Sequence, residues 1–296
     1  MENNEMTENS EIMIEGQEQE DEQKRPSVIY SSDPHSRYGD ILLASGILHG
    51  GILYDRVIVT EWDGDDEDIL AARGTPVYTR FDKIYTKRIK SLESSNGGSV
   101  TNKETISGLI SEIPAPDRMQ IMIATRCLSY GNMLPVTTEC EKCTDTKGNP
   151  TPIKRAINLD GLKIKHMKDG SVREYADKLP RSGHVINWEI MTGASENWLM
   201  NARSKVKTDT QIRVTLGLLA RIKKIDDVDV IRDNKKFIAM LKGWPSYDRR
   251  WLVHRFIDIE GDVNTDIDFA CPKCGYEFSD EVDIYNENFF APTILT

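Results

Sequence analysis

Two C-x-x-C pairs, Cys140-Glu141-Lys142-Cys143 and Cys271-Pro272-Lys273-Cys274, hold four of the chain's five cysteines, and 127 residues separate them. A C-x-x-C on a tight turn offers two thiolates to one cation, whereas tetrahedral zinc takes four. Each pair is therefore half a site, and the fold has to bring residue 143 back to residue 271 to complete it. Such a closure restricts the unfolded chain and contributes on the order of 4–5 kcal/mol for a loop this long. The expectation is one structural zinc ion held by Cys140, Cys143, Cys271 and Cys274. The spacing is wider than the roughly 15–20 residues usual for paired motifs. Lys142 and Lys273 nevertheless occupy the same place in the two pairs, and Gly275 suits a turn that points backbone amides at sulfur. A disulfide has no support from an oxidising compartment. A thioredoxin-like redox pair needs to open a helix in a βαβ context, which neither motif does. Four thiolates leave no open position for a catalytic metal.

Each pair also ends a similar stretch. Asp117-Arg118 precedes Cys140 by the same 23 residues that separate Asp248-Arg249 from Cys271. Both copies read as an Asp-Arg pair, an apolar helix, a Gly-containing turn, an alternating strand and then C-x-x-C. The layout is shared although identities are few, so two related helix–strand units are expected to meet at the metal.

Charge is concentrated at one end. Residues 1–23 contain nine acids and no Lys or Arg, so this stretch carries nearly all of the net charge of −10. A single-sign segment so poor in apolar residues cannot offset its ordering entropy and is expected to be disordered over 1–26. The alternative is a docking arm, since Ile12, Met13 and Ile14 form its only apolar cluster. The near-neutral remainder argues against nucleic-acid binding, which needs a concentrated basic surface. The start has neither the basic nor the apolar region of a secretory signal, and no apolar run is long enough to span a membrane.

Along the chain, residues 27–296 are expected to form a single α+β domain with a mostly helical body, short strands and hairpins, and a split zinc-ribbon-like site. Its parts would be a first half (27–160) with the first knuckle, a helical middle (161–245), and a second knuckle with a C-terminal tail (246–296). Residues 41–54 read as short extended pieces between glycine turns, and 56–62 as a β-branched strand. Asp63 or Asp65 would cap the helix that follows, with its acids at the positive end of the macrodipole. Helices are expected at 81–92, 116–130, 210–225, 235–244 and 246–260, the second stopped by Gly131. Trp188, Trp198, Trp244 and Trp251 read as core, and Cys127 as an inert small hydrophobe. Phe289 and Phe290 are candidates for partner contact or for packing back on the body. The five histidines are scattered, GDDED (64–68) lacks the alternating ligands of a calcium loop, and no catalytic constellation emerges.

Five blocks, taken in order, carry a resemblance: ASGILHGGILY (44–54), RVIVTEWDGDDEDILAAR (56–73), DRMQIMIATRCLSYG (117–131), TTECEKC (137–143) and FACPKCGYEFSDEVDIYNENFFAP (269–292). They resemble the baseplate hub and assembly proteins of T-even-type contractile-tailed phages. That resemblance implies a structural, non-catalytic virion component, made late in infection in the host cytoplasm. It further implies an oligomeric setting in the tail baseplate and partners among other baseplate, hub and tail proteins. It carries over only the zinc ligands Cys140, Cys143, Cys271 and Cys274. An assembly factor absent from the mature particle and a zinc-ribbon nucleic-acid-binding regulator are the alternative functions.

Overall fold

The computed structural model describes residues 28–30, 37–144, 149–205, 210–282, 284 and 287–290. The acidic segment read as disordered lies outside the described residues. The first half is built on an antiparallel sheet. Strands β1 (Val28–Tyr30), β2 (Tyr38–His49) and β3 (Ile52–Thr60) run in succession, with Gly50 and Gly51 at φ +58° and +78° making the tight turn between β2 and β3. Alternate residues Val57 and Val59 face the core, as a period of two requires. Helices α1 (Gly64–Ala71) and α2 (Val77–Arg88) follow, and α2 runs without a break into β4 (Ile89–Glu93). With β5 (Ser99–Val100) at the edge, the sheet order is β1-β2-β3-β4-β5. Helix α3 (Lys103–Leu109) leads to α4 (Ala115–Tyr130), which packs on β2 and β3. The hairpin β6 (Met133–Thr144) and β7 (Pro150–Asn158) carries the first cysteine pair.

After β8 (Ile164–Lys165) the plan repeats. Strands β9 (Glu174–Lys178) and β10 (Val185–Glu189) precede helices α5 (Gly193–Lys205) and α6 (Thr210–Arg221). Helix α6 runs straight into β11 (Ile222–Ile225), with β12 (Val228–Asp229) at the edge, giving the order β12-β11-β10-β9. Helices α7 (Lys235–Gly243) and α8 (Ser246–Ile259) follow. Then come β13 (Asp262–Val263), which pairs with β8, the hairpin β14 (Asp266–Ala270) and β15 (Glu277–Glu281) with the second cysteine pair, and α9 (Glu287–Phe290).

The correspondence extends to single residues. The ladder slips between Ile58 and Val59 in β3 and between Asn187 and Trp188 in β10. Asn102 and Asn234 cap α3 and α7, and Pro114 and Pro245 precede α4 and α8. Asp117 and Asp248 lie in the first turns of those helices, both fully buried. Asp117 accepts the Ser45 N–H at 2.8 Å, and Asp248 accepts the Ser182 N–H at 2.8 Å. Each serine precedes a glycine at positive φ, Gly46 at +74° and Gly183 at +76°. Arg118 and Arg249 both reach back to the preceding long helix, at Asp82 and Thr215 respectively. The shared layout read around the cysteines therefore begins at the first hairpin of each half.

Two expectations are corrected. The middle of the chain is not helical throughout, because β8 to β12 occupy it; strands and helices both organise the body. The 81–92 and 210–225 helices each lose their last turn to a strand, β4 and β11. Each junction falls at an Arg-Ile with no glycine or proline to mark it. Of the two readings of Phe289 and Phe290, packing back on the body is the one the structure carries: both are 2% accessible, and Phe290 stacks on Trp62 with ring centres 4.7 Å apart. Trp188 and Trp244 are buried and Trp198 and Trp251 half-buried, so the tryptophans do pack inward.

Two apolar cores result. The first joins the β1–β5 sheet, α2 and α4 with Val282, Ile284, Phe289 and Phe290 from the end of the described chain. The second joins β9–β11 with α5 to α8. Arg118 bridges the halves, donating to Asp82 at 2.8 Å on one side and to Glu196 at 3.0 Å on the other. Beside it, burial pushes the Asp117 carboxyl up to about 7, against the pull of the Ser45 N–H and the Arg173 charge. An unfolded aspartate titrates near ~3.9. Between about pH 4 and 7 the folded chain thus binds a proton that the unfolded chain releases. This contribution to stability is present below pH ~4 and is lost as pH rises through about 7. Asp117→Asn, which keeps an acceptor for Ser45, should flatten that part of the stability–pH profile in urea titrations.

Candidate metal centre

The two cysteine hairpins face each other. In the second, Gly275 at φ +71° turns the chain, its N–H donates to the Cys271 carbonyl at 2.9 Å, and Cys271 N–H donates to the Tyr276 carbonyl at 2.9 Å. This winding aims backbone amides at sulfur. The Lys273 N–H, with help from that of Cys274, brings the Cys271 thiol down to about 6 despite its burial. In the first hairpin, β6 and β7 pair as far as Cys140 opposite Thr151 and resume at Thr144 opposite Pro150. The interruption swings Cys143 out of the ladder toward its partners.

The sulfurs meet across the hairpins. Cys140 Sγ lies 3.7 Å from Cys274 Sγ, and Cys143 Sγ lies 3.9 Å from Cys271 Sγ. All four ligand atoms fall within 4.8 Å of one another. Four sulfurs at about 2.3 Å from a tetrahedral zinc stand about 3.8 Å apart, so the cage has the right size. Without a cation the thiols compete: a hydrogen bond with Cys274 is the main cause of the Cys143 thiol being pushed up to about 12. A dication held by Cys140, Cys143, Cys271 and Cys274 would replace the protons and so remove that competition.

Contacts between the hairpins hold the cage shut. Thr138 Oγ1 donates to Asp280 at 2.6 Å, and Arg155 Nη2 donates to the Ala270 carbonyl at 3.1 Å. Lys142 Nζ lies 5.3 Å above the Tyr276 ring, and Ile153 and Phe278 pack against the sulfurs. Spacing identifies the four cysteines but gives no signal for Thr138, Arg155 or Tyr276, whose partners lie on the other hairpin. Cys140 and Cys271 are buried, Cys143 is half-buried and Cys274 is exposed. With four sulfurs and, among the described residues, no oxygen or nitrogen ligand, the arrangement suits a closed thiolate site. The acidic run at 64–68 plays no part in it: Asp63 and Asp66 form a capping box on α1.

A family model described as T4 bacteriophage base plate protein matches residues 85–291, a span that contains both cysteine pairs and both Asp-Arg helices. This chain belongs to the T4 bacteriophage base plate protein family. No curated protein and no solved structure matches it significantly. As a base plate protein it has a structural role in the phage tail baseplate, with other tail and baseplate proteins as its partners. Among the described residues no helix is long and apolar enough to cross a membrane.

The fifth cysteine stays apart from the centre. Cys127 is buried in α4, and its surroundings push its thiol up to about 11, chiefly through loss of solvent. A thiol so rarely ionised is a poor nucleophile. In the native base plate protein at pH 7.5, Cys127 should resist a maleimide reagent, and peptide mapping should find it modified only after denaturation.

Proposed function

We propose that Cys140, Cys143, Cys271 and Cys274 hold one structural zinc ion. We further propose that the base plate protein is a non-catalytic scaffold of the hub or central region of a contractile-tail baseplate. The observation that carries this reading is the meeting of two remote cysteine pairs at 3.7 and 3.9 Å within the span matched to the family. Bound there, zinc supplies a cross-link and no reactive position, because all four sites of a tetrahedron are taken. The chain's own residues then form a braced body that presents fixed surfaces to neighbouring subunits. Production late in infection, assembly in the host cytoplasm and an oligomeric place in the particle belong to the same reading.

The zinc part is tested on the purified chain. Elemental analysis should find one zinc per chain, and Cys140→Ser or Cys274→Ser should lose it. Releasing a loop this long should lower Tm by about 10 °C, and a variant that melts like the wild type would sink the cross-link. Mass spectrometry of purified virions tests the place of action. The protein should be present at fixed stoichiometry in isolated baseplates, whereas absence from the particle would make it an assembly factor instead.

A further inference from the structure

Because the two repeats correspond residue by residue, the filling of a groove in one shows what the other lacks. In the first repeat, Phe289 and Phe290 close a groove between the start of α1, α2 and α4. Phe290 stacks on Trp62 and leans on Phe81 at 5.6 Å, while Arg126 covers the Phe289 ring at 5.7 Å and donates to its carbonyl at 3.3 Å. Both phenylalanines come out of an acidic stretch that includes Asp280 and Glu281.

The matching positions in the second repeat follow directly. Helices α4 and α8 align without a gap from Asp117 and Asp248, which places Ile257 where Arg126 stands. Helices α2 and α6 align through their Arg-Ile ends, which places Val214 at Phe81 and Gly217 at Ile84. Met191 takes the place of Trp62: Ser129 Oγ accepts the Trp62 N–H, and at the matching position Glu260 accepts the Met191 N–H. Phe81 and Arg126 are 1% and 0% accessible, but Val214 and Ile257 are 50% and 60% accessible. A Cβ added at Gly217 would meet no atom within 4 Å. Among the described residues nothing fills the second groove, where the apolar Val214 and Ile257 stand exposed. Its helices carry two exposed arginines, Arg213 and Arg250, that form no ion pair among the described residues, while the acid Glu260 is already paired with Arg221. Arg203 also feels the like charges of Arg213 and Arg221. An occupant should therefore be bulky, apolar and flanked by acids.

We propose that Ile12, Met13 and Ile14 dock in this α6–α8 groove of their own chain, with Glu11 and Glu15 facing Arg213 and Arg250. The chain has just one such cluster in its acidic stretch. Thirteen residues link Ile14 to Val28, and their fourteen Cα steps reach about 45 Å when extended, close to the width of a globule of this size. This inference does not depend on the zinc centre.

Hydrogen exchange read by mass spectrometry tests it on the full-length chain. Relative to an Ile12→Asp/Ile14→Asp variant, the wild type should exchange roughly tenfold more slowly at 213–217, at 254–258 and at 11–15. Ile257→Asp, a change at an exposed position that should leave Tm unaltered, should speed exchange at 11–15 to the same extent. A synthetic peptide of residues 8–18 added to the double variant should restore protection at 213–217 and 254–258, and it should fail to do so with Ile257→Asp present as well. Equal exchange in the wild type and the double variant would overturn the proposal. So would protection that grows with protein concentration, which would mark a contact between copies.

Discussion

A buried guanidinium, Arg118, joins the two halves of this base plate protein, and the buried carboxyl next to it in sequence, Asp117, anchors the helix that carries it. Asp117 receives the amide of Ser45 at the bulge of β2, while Arg118 spans α2 and α5 through Asp82 and Glu196. The Arg118 charge would not tolerate its site alone: removing the carboxylate partners of a buried cation leaves it unpaired at a cost of about 3–5 kcal/mol. The approach of the second repeat is correspondingly close. A Cβ on Gly193 would stand 2.7 Å from Arg118 Nη1, so the start of α5 can reach the guanidinium only as glycine.

What the repeats keep in common is largely what satisfies the backbone. The Asp that accepts a turn amide, the Asn that caps a short helix, the Pro that starts a long one and the slipped strand register all recur. What diverges is the surface and the filling of grooves. Such a pattern fits a chain whose backbone plan was set once and used twice, with outer faces free to specialise for different neighbours. The four cysteines are where the copies meet, each repeat contributing a pair.

Legibility from sequence followed the range of the interaction. Asp63 as a cap, the apolar run of α4, its stop at Gly131 and the two cysteine pairs are local or strictly spaced, and the structure carries them as read. The Asp-Arg alignment has a structural basis, since both aspartates accept a backbone amide in the same way. The β9–β12 sheet leaves no periodic mark in the sequence because its strands are short and partly charged. Burial there comes from helices that pack on them, and periodicity alone does not show that. Helical spacing runs past the ends of α2 and α6 because an Arg-Ile junction changes structure without a breaker. Sequence leaves Phe289 and Phe290 open between partner contact and inward packing because their partners, Trp62, Phe81 and Arg126, stand far away in the chain.

The same pair of phenylalanines has a bearing on how the polypeptide is made. Its N-terminal half depends on residues translated more than 150 positions after Arg126 to finish its interior, whereas the other half draws its interior from one continuous stretch, 179–256. During vectorial synthesis, domains ordinarily consolidate from the N-terminus onward. Here the later-emerging half is the one that can settle first, and the earlier one waits on the ribosome with its hydrophobic cleft open until the trailing aromatic residues arrive to seal it.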